Sequence, residues 1–144
     1  MTKWFLLGFF FVTNAFAQME VHEPWTRAMP PGTKIGAGYM TLRNTSATPD
    51  KLLRASSPAA EKVEMHITVK DGDVFRMREV NGYDIPARGS FELKPGVAHL
   101  MFINVKAPFK EGEKIPLLLR FERAGEVKTE LEVRGLGAGG HGSH

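Results

Sequence analysis

Along most of the chain apolar side chains alternate with polar ones, and no stretch sustains the three-to-four spacing of an amphipathic helix. Clusters of Pro, Gly, Asn and Asp interrupt the alternation roughly every eight to twelve residues, the punctuation of an all-β sandwich or barrel. The pattern predicts strands over residues 21–28, 35–43, 51–56, 63–69, 74–80, 91–93, 98–105, 115–122 and 127–133. In the last of these, Val127, Thr129, Leu131 and Val133 alternate with Lys128, Glu130 and Glu132, so one face is buried and the other wet. Pro24 cannot donate to a ladder and places the first strand at an edge or a bulge. Asp71-Gly72 and Ala124-Gly125 mark tight hairpins. About eight to nine short strands in one domain predict a Greek-key β-sandwich or barrel.

The two ends read differently. Residues 1–17 combine Lys3, an apolar run from Trp4 to Val12 and the small-x-small site Ala15-Phe16-Ala17, the layout of a signal peptide. Its apolar core is too short to span a bilayer. The β-domain is expected over residues 18–134, and the Gly-rich residues 135–144 as a flexible tail. Zero cysteines leave no thiol for lipid attachment, so an exported, soluble protein that is not a lipoprotein is expected. The 19 basic and 16 acidic residues are scattered, without the basic-aromatic stripe that nucleic acid requires. No Ser-His-Asp set, nucleotide loop or paired-carboxylate motif stands out, which argues against an enzyme.

Candidate chemistry lies in the middle of the chain, at His66, Met77, His99 and Met101. Thioether sulfur is soft and uncharged, so it gains little from Zn²⁺, Mg²⁺ or Ca²⁺ but binds Cu(I) well, and imidazole suits copper too. A two-residue loop at Asp71-Gly72 would set His66 directly opposite Met77, close enough for both to reach one ion. Parity puts Val63, Met65, Ile67 and Val69 on one face of their strand, and Glu64, His66 and Thr68 on the other. His99 and Met101, two apart, share a face as well. Taken singly, each has a blander reading, since methionines usually fill cores and strand histidines usually make hydrogen bonds. Met40 and Met65 are expected as packing, His22 as a surface or turn residue, and the spacings of Met19, Met29 and Met40 do not define a second cluster. His141 and His144 form an auxiliary candidate for Cu(II), whose tetragonal preference suits imidazole and backbone nitrogen. A blue-copper electron carrier is excluded, because its site needs a Cys thiolate.

The spacing His66–Met77–His99–Met101 resembles the signature of the periplasmic copper-chaperone family PCu(A)C. The surrounding words are similar too: Trp25-Thr26-Arg27-Ala28, Gly38-Tyr39-Met40, Ala55-Ser56-Ser57-Pro58, Val63-Glu64-Met65-His66, Met77-Arg78-Glu79-Val80, Ile85-Pro86-Ala87, Leu93-Lys94-Pro95-Gly96 and His99-Leu100-Met101. The likeness runs from about Val21 to Val133. It implies a cupredoxin-like sandwich in the periplasm, holding Cu(I) at those four residues. It also implies delivery of copper toward the binuclear centre in subunit II of membrane-bound cytochrome c oxidase, often alongside a Sco-like thiol protein; the chain itself is expected to be a monomer. A copper scavenger and a metal-free exported interaction module are the alternatives.

Overall fold

The β-branched and aromatic segments pair into a single mixed sheet, described by a computed structural model over residues 18–136. The expected signal peptide and the tail residues His141 and His144 lie outside the described residues. In chain order the strands are β1 (Met19–Arg27), β2 (Ile35–Asn44), β3 (Asp50–Ser56), β4 (Ala60–Asp71), β5 (Val74–Val80), β6 (Tyr83–Ile85), β7 (Ser90–Leu93), β8 (Ala98–Val105), β9 (Lys114–Phe121) and β10 (Gly125–Arg134). All nine segments expected from alternation are strands. The tenth, β6, is three residues long, too short for a period to declare itself.

The strands lie in the order β5-β4-β8-β2-β1-β10-β9-β3-β6, with β7 added to β2. β1 and β10 run parallel, Trp25 beside Glu132 and Arg27 beside Arg134, so the chain's first and last strands close the middle of the sheet. The β1–β2 register slips between His22 and Trp25, where Glu23 adopts φ 48, so Pro24 does sit at a bulge. The sheet curls on itself: Leu52, Tyr83 and Ile85 from the β3–β6 end share one core with Met65, Leu100 and Phe102 from β4 and β8. β2 approaches that core closely because Gly38 has no Cβ; an added one would sit 3.0 Å from the Phe102 ring.

One register differs from expectation. The β4–β5 turn is centred on Gly72-Asp73, so Asp71 faces Val74, Thr68 faces Met77, and His66 faces Glu79 instead of Met77. Gly72 takes φ 65, and Asp73 is not among the positive-φ residues, the sign pattern of a type II′ turn with Gly first. Moving a turn by one position shifts the pairing by two residues, and side chains alternate every residue. Met77 therefore stays on the face of His66, as its diagonal neighbour, within reach of a long side chain.

Candidate metal centre

The two histidines meet because β4 pairs with β8. His66 is directly opposite His99, and Glu64 is opposite Met101. The imidazoles stack with centroids 5.4 Å apart and planes 26° from parallel. β8 lies between β4 and β2, and His99 is only 6 % exposed. The His66 side chain is 12 % exposed. Met101 is half-buried, whereas Met77, on the outermost strand, is 64 % exposed.

A cleft of about 580 Å³ opens on this face, lined among others by Tyr39, Thr68, Phe75, Met77, His99 and Met101. Three of the four residues expected from sequence share its wall, and His66 stands beside them without lining it. The cleft is mostly apolar, and the exposed Phe75 and Ile35 are part of its lining. Behind His99 an aromatic row continues across the sheet, Tyr39 at 6.4 Å and then Trp25 a further 4.8 Å on. The Arg27 guanidinium covers both of these rings, and that of Arg134 covers Trp25.

Electrostatics set the state of each nitrogen. The His66 Nε2 lies 3.0 Å from Glu64 Oε1, whose other oxygen is 2.9 Å from Lys62 Nζ. The His66 and Lys62 contacts hold the Glu64 carboxyl below its usual pKa. With Nε2 engaged as a donor, Nδ1 of His66 is the basic nitrogen, and it is buried without a hydrogen-bond partner. Leaving such an atom unpaired costs about 1–3 kcal/mol, which a metal bond at Nδ1 would offset. Burial first, and the neighbouring His66 second, push the His99 pKa below the ordinary histidine value. The neutral ring is the form that binds metal, so protons compete at His99 only under more acidic conditions than usual.

The same shift has a sign for stability. His99 takes up a proton less readily folded than unfolded, so its contribution is complete above the unfolded value, about pH 6.5. It is lost as pH falls through the depressed folded value. Thermal melts of the metal-free protein should therefore decline from about pH 7 towards pH 5, and His99→Gln should flatten that slope. Equal slopes in the two proteins would remove His99 as the cause.

Sequence reasoning missed two supports. Glu64 was legible in principle, being two residues from His66 on the same strand face. Tyr83 was not. It reaches from β6 so that its hydroxyl lies 2.7 Å from the His66 carbonyl and 2.9 Å from that of His99, its single proton shared between them. The ring is buried and stacked on Phe91 at 4.5 Å, and burial raises the hydroxyl's pKa, so it stays a donor. This bond ties the two histidine-bearing strands together from the core side. Tyr83→Phe should cost about 1–3 kcal/mol of stability and weaken metal binding several-fold. Urea melts and a chelator competition check both effects, and unchanged affinity would show that the tie does not position the histidines.

Among the described residues no cluster of three or more His, Cys, Asp or Glu could hold a metal. The donor set depends on the thioethers, and it suits a soft monovalent ion better than zinc or calcium. In class this is a small all-β domain presenting a mixed imidazole–thioether set at one cleft. Residues 19–133 match the family described as "Putative lipoprotein LpqE-like". The chain belongs to that LpqE-like family, and its fold is that of the PCuAC domains. It is similar to "Putative lipoprotein Lxx21020" from Leifsonia xyli subsp. xyli, with 33 % identity over 117 residues, 81 % of this chain and 69 % of that protein. Among solved structures it is similar to the apo PCuAC domain from PmoF1, with TM-score 0.72 and 26 % identity, covering 82 % of this chain and 94 % of that domain. The solution structure of CuI-DR1885 from Deinococcus radiodurans aligns with TM-score 0.65 and 31 % identity, over 79 % and 78 % of the two chains.

Proposed function

We propose that this protein is an extracytoplasmic, non-enzymatic Cu(I) chaperone that holds one ion with His66, Met77, His99 and Met101. We further propose that it passes the ion on for assembly of the binuclear copper centre of cytochrome c oxidase. The observation that carries the metal reading is the direct pairing of His66 with His99 across β4 and β8, with both methionines on that face. The similarity to a chain solved with Cu(I) supports it. Relatives carry lipoprotein names, which fits an extracytoplasmic place, whereas this sequence has no cysteine to carry a lipid.

The site's chemistry favours transfer over storage. One ion per chain is little capacity, and all four donors are neutral, so a charged thiolate on a partner is a stronger competitor for a soft ion. The ligand on the open side, Met77, is the one an incoming donor meets first. The test is to load one equivalent of Cu(I), mix with the soluble copper domain of oxidase subunit II or with a Sco-like thiol protein, and measure copper after separation. Movement of most of the ion to either acceptor is expected. Retention by the loaded protein would favour a scavenger or buffer, and failure to load at all would favour a metal-free interaction module.

A further inference from the structure

The four donors are not equally sheltered. Met19, Met40 and Met65 are buried in the core, and Met29 and Met101 are half-buried. Met77 alone among the described methionines is exposed, at 64 %. It lies on β5, the outermost strand, whose ladder partner is β4 alone and whose residues from Val74 to Glu79 are all exposed. An oxidant in solution thus reaches the Met77 sulfur without any unfolding, while Met101 is half-buried on β8, a strand flanked in the sheet by β4 and β2.

We propose that Met77 is a site of reversible oxidation by peroxide, and that its sulfoxide state releases the metal. This rests on the Cu(I) reading above. In the step, the Met77 sulfur lone pair attacks one oxygen of hydrogen peroxide; the S–O bond forms as the O–O bond breaks. The departing hydroxide takes up the proton that the transferred oxygen gives up and leaves as water, with the neutral sulfoxide left behind. Sulfur is oxidised by two electrons and the peroxide reduced by the same two. The product replaces a soft sulfur donor with a polar sulfoxide, whose oxygen is a hard donor ill matched to Cu(I). A methionine sulfoxide reductase using a thiol reductant reverses the change. Because Met77 is largely exposed on an edge strand and lies outside the core cluster, its oxidation leaves the core packing untouched, and the switch acts on the ion alone.

The experiment treats metal-free full-length protein with hydrogen peroxide and follows each methionine by peptide mass mapping. Met77 is expected to gain its oxygen at least tenfold faster than Met29 or Met101. Protein oxidised at Met77 is then titrated against a Cu(I) chelator, where at least a tenfold loss of affinity is expected, recovered after reductase treatment. Met77→Leu should show the same loss, and no further change within the time that peroxide takes to oxidise Met77. Equal oxidation rates for Met77, Met29 and Met101 would overturn the proposal, as would a Met77 sulfoxide that binds Cu(I) like the untreated protein. If the untreated protein takes up no Cu(I), the metal reading itself fails and the switch with it; if it binds and the sulfoxide binds equally, only the switch fails.

Discussion

Replacing His66 and His99 together by Ala should remove the high-affinity Cu(I) equivalent proposed above. The paired strands hold the two rings 5.4 Å apart, and each offers a nitrogen sheltered from bulk water. Changing groups that only orient a metal ligand typically costs about 10–100-fold in affinity, so losing two ligands should cost at least about a hundredfold on that scale. The thioethers of Met77 and Met101 remain and carry no proton, so a weak, pH-independent residue of binding should persist. Competition with a Cu(I) chelator at neutral pH measures the loss. Both changes are to a smaller side chain on the cleft face, away from the shared core, and the folded state should survive, as circular dichroism can check. Unchanged affinity in the folded double variant would mean that the ion sits elsewhere.

Phe102→Ala should produce the largest loss of stability. Phe102 is fully buried on β8, one residue beyond Met101 and on the opposite face. Its ring meets Phe109 edge-on at 5.6 Å and 86°, and it fills the space that Gly38 leaves by having no Cβ. Truncating a buried Phe to Ala costs about 3–5 kcal/mol, a large part of the about 5–15 kcal/mol that stabilises a typical domain. Urea denaturation should show the midpoint falling with little change in slope. Phe102→Leu, which keeps most of the volume, should lose much less. A loss below about 1 kcal/mol for the Ala variant would mean that the core collapses to fill the gap.

Local pattern carried much of this site. The alternation in β4 put His66 opposite the core-packed Met65 and Ile67, and the spacing in β8 put His99 and Met101 on one face. The turn at Gly72 was readable, but its centre was not, because Asp71-Gly72 and Gly72-Asp73 are both good turn dipeptides. Burial could not arbitrate either: β5 is exposed on both faces, so no apolar set fixes its register. What joins the histidines, the pairing of β4 with β8, links segments more than thirty residues apart in sequence. Such a pairing follows from how the whole sheet closes, as does the parallel contact of β1 with β10. Tyr83 was illegible for the same reason. Its role depends on the far end of the sheet curling under the site, and a three-residue strand leaves no periodic trace.

The marginal position of β5 places the four proposed metal ligands on a gradient of amide protection. β8 is hydrogen-bonded to neighbours on both sides, and most of its residues are buried, so its amides should exchange with solvent only when the whole domain opens. β5 can peel from β4 while uncovering almost no apolar surface, and its amides should exchange through that local opening alone. An ion held by Met77 would bridge the two regimes, fastening an exposed edge strand to one that is paired on both sides. Occupancy would then appear as slowed exchange in β5 with little change in β8, and exit of the ion would be timed by fraying of one strand instead of by unfolding.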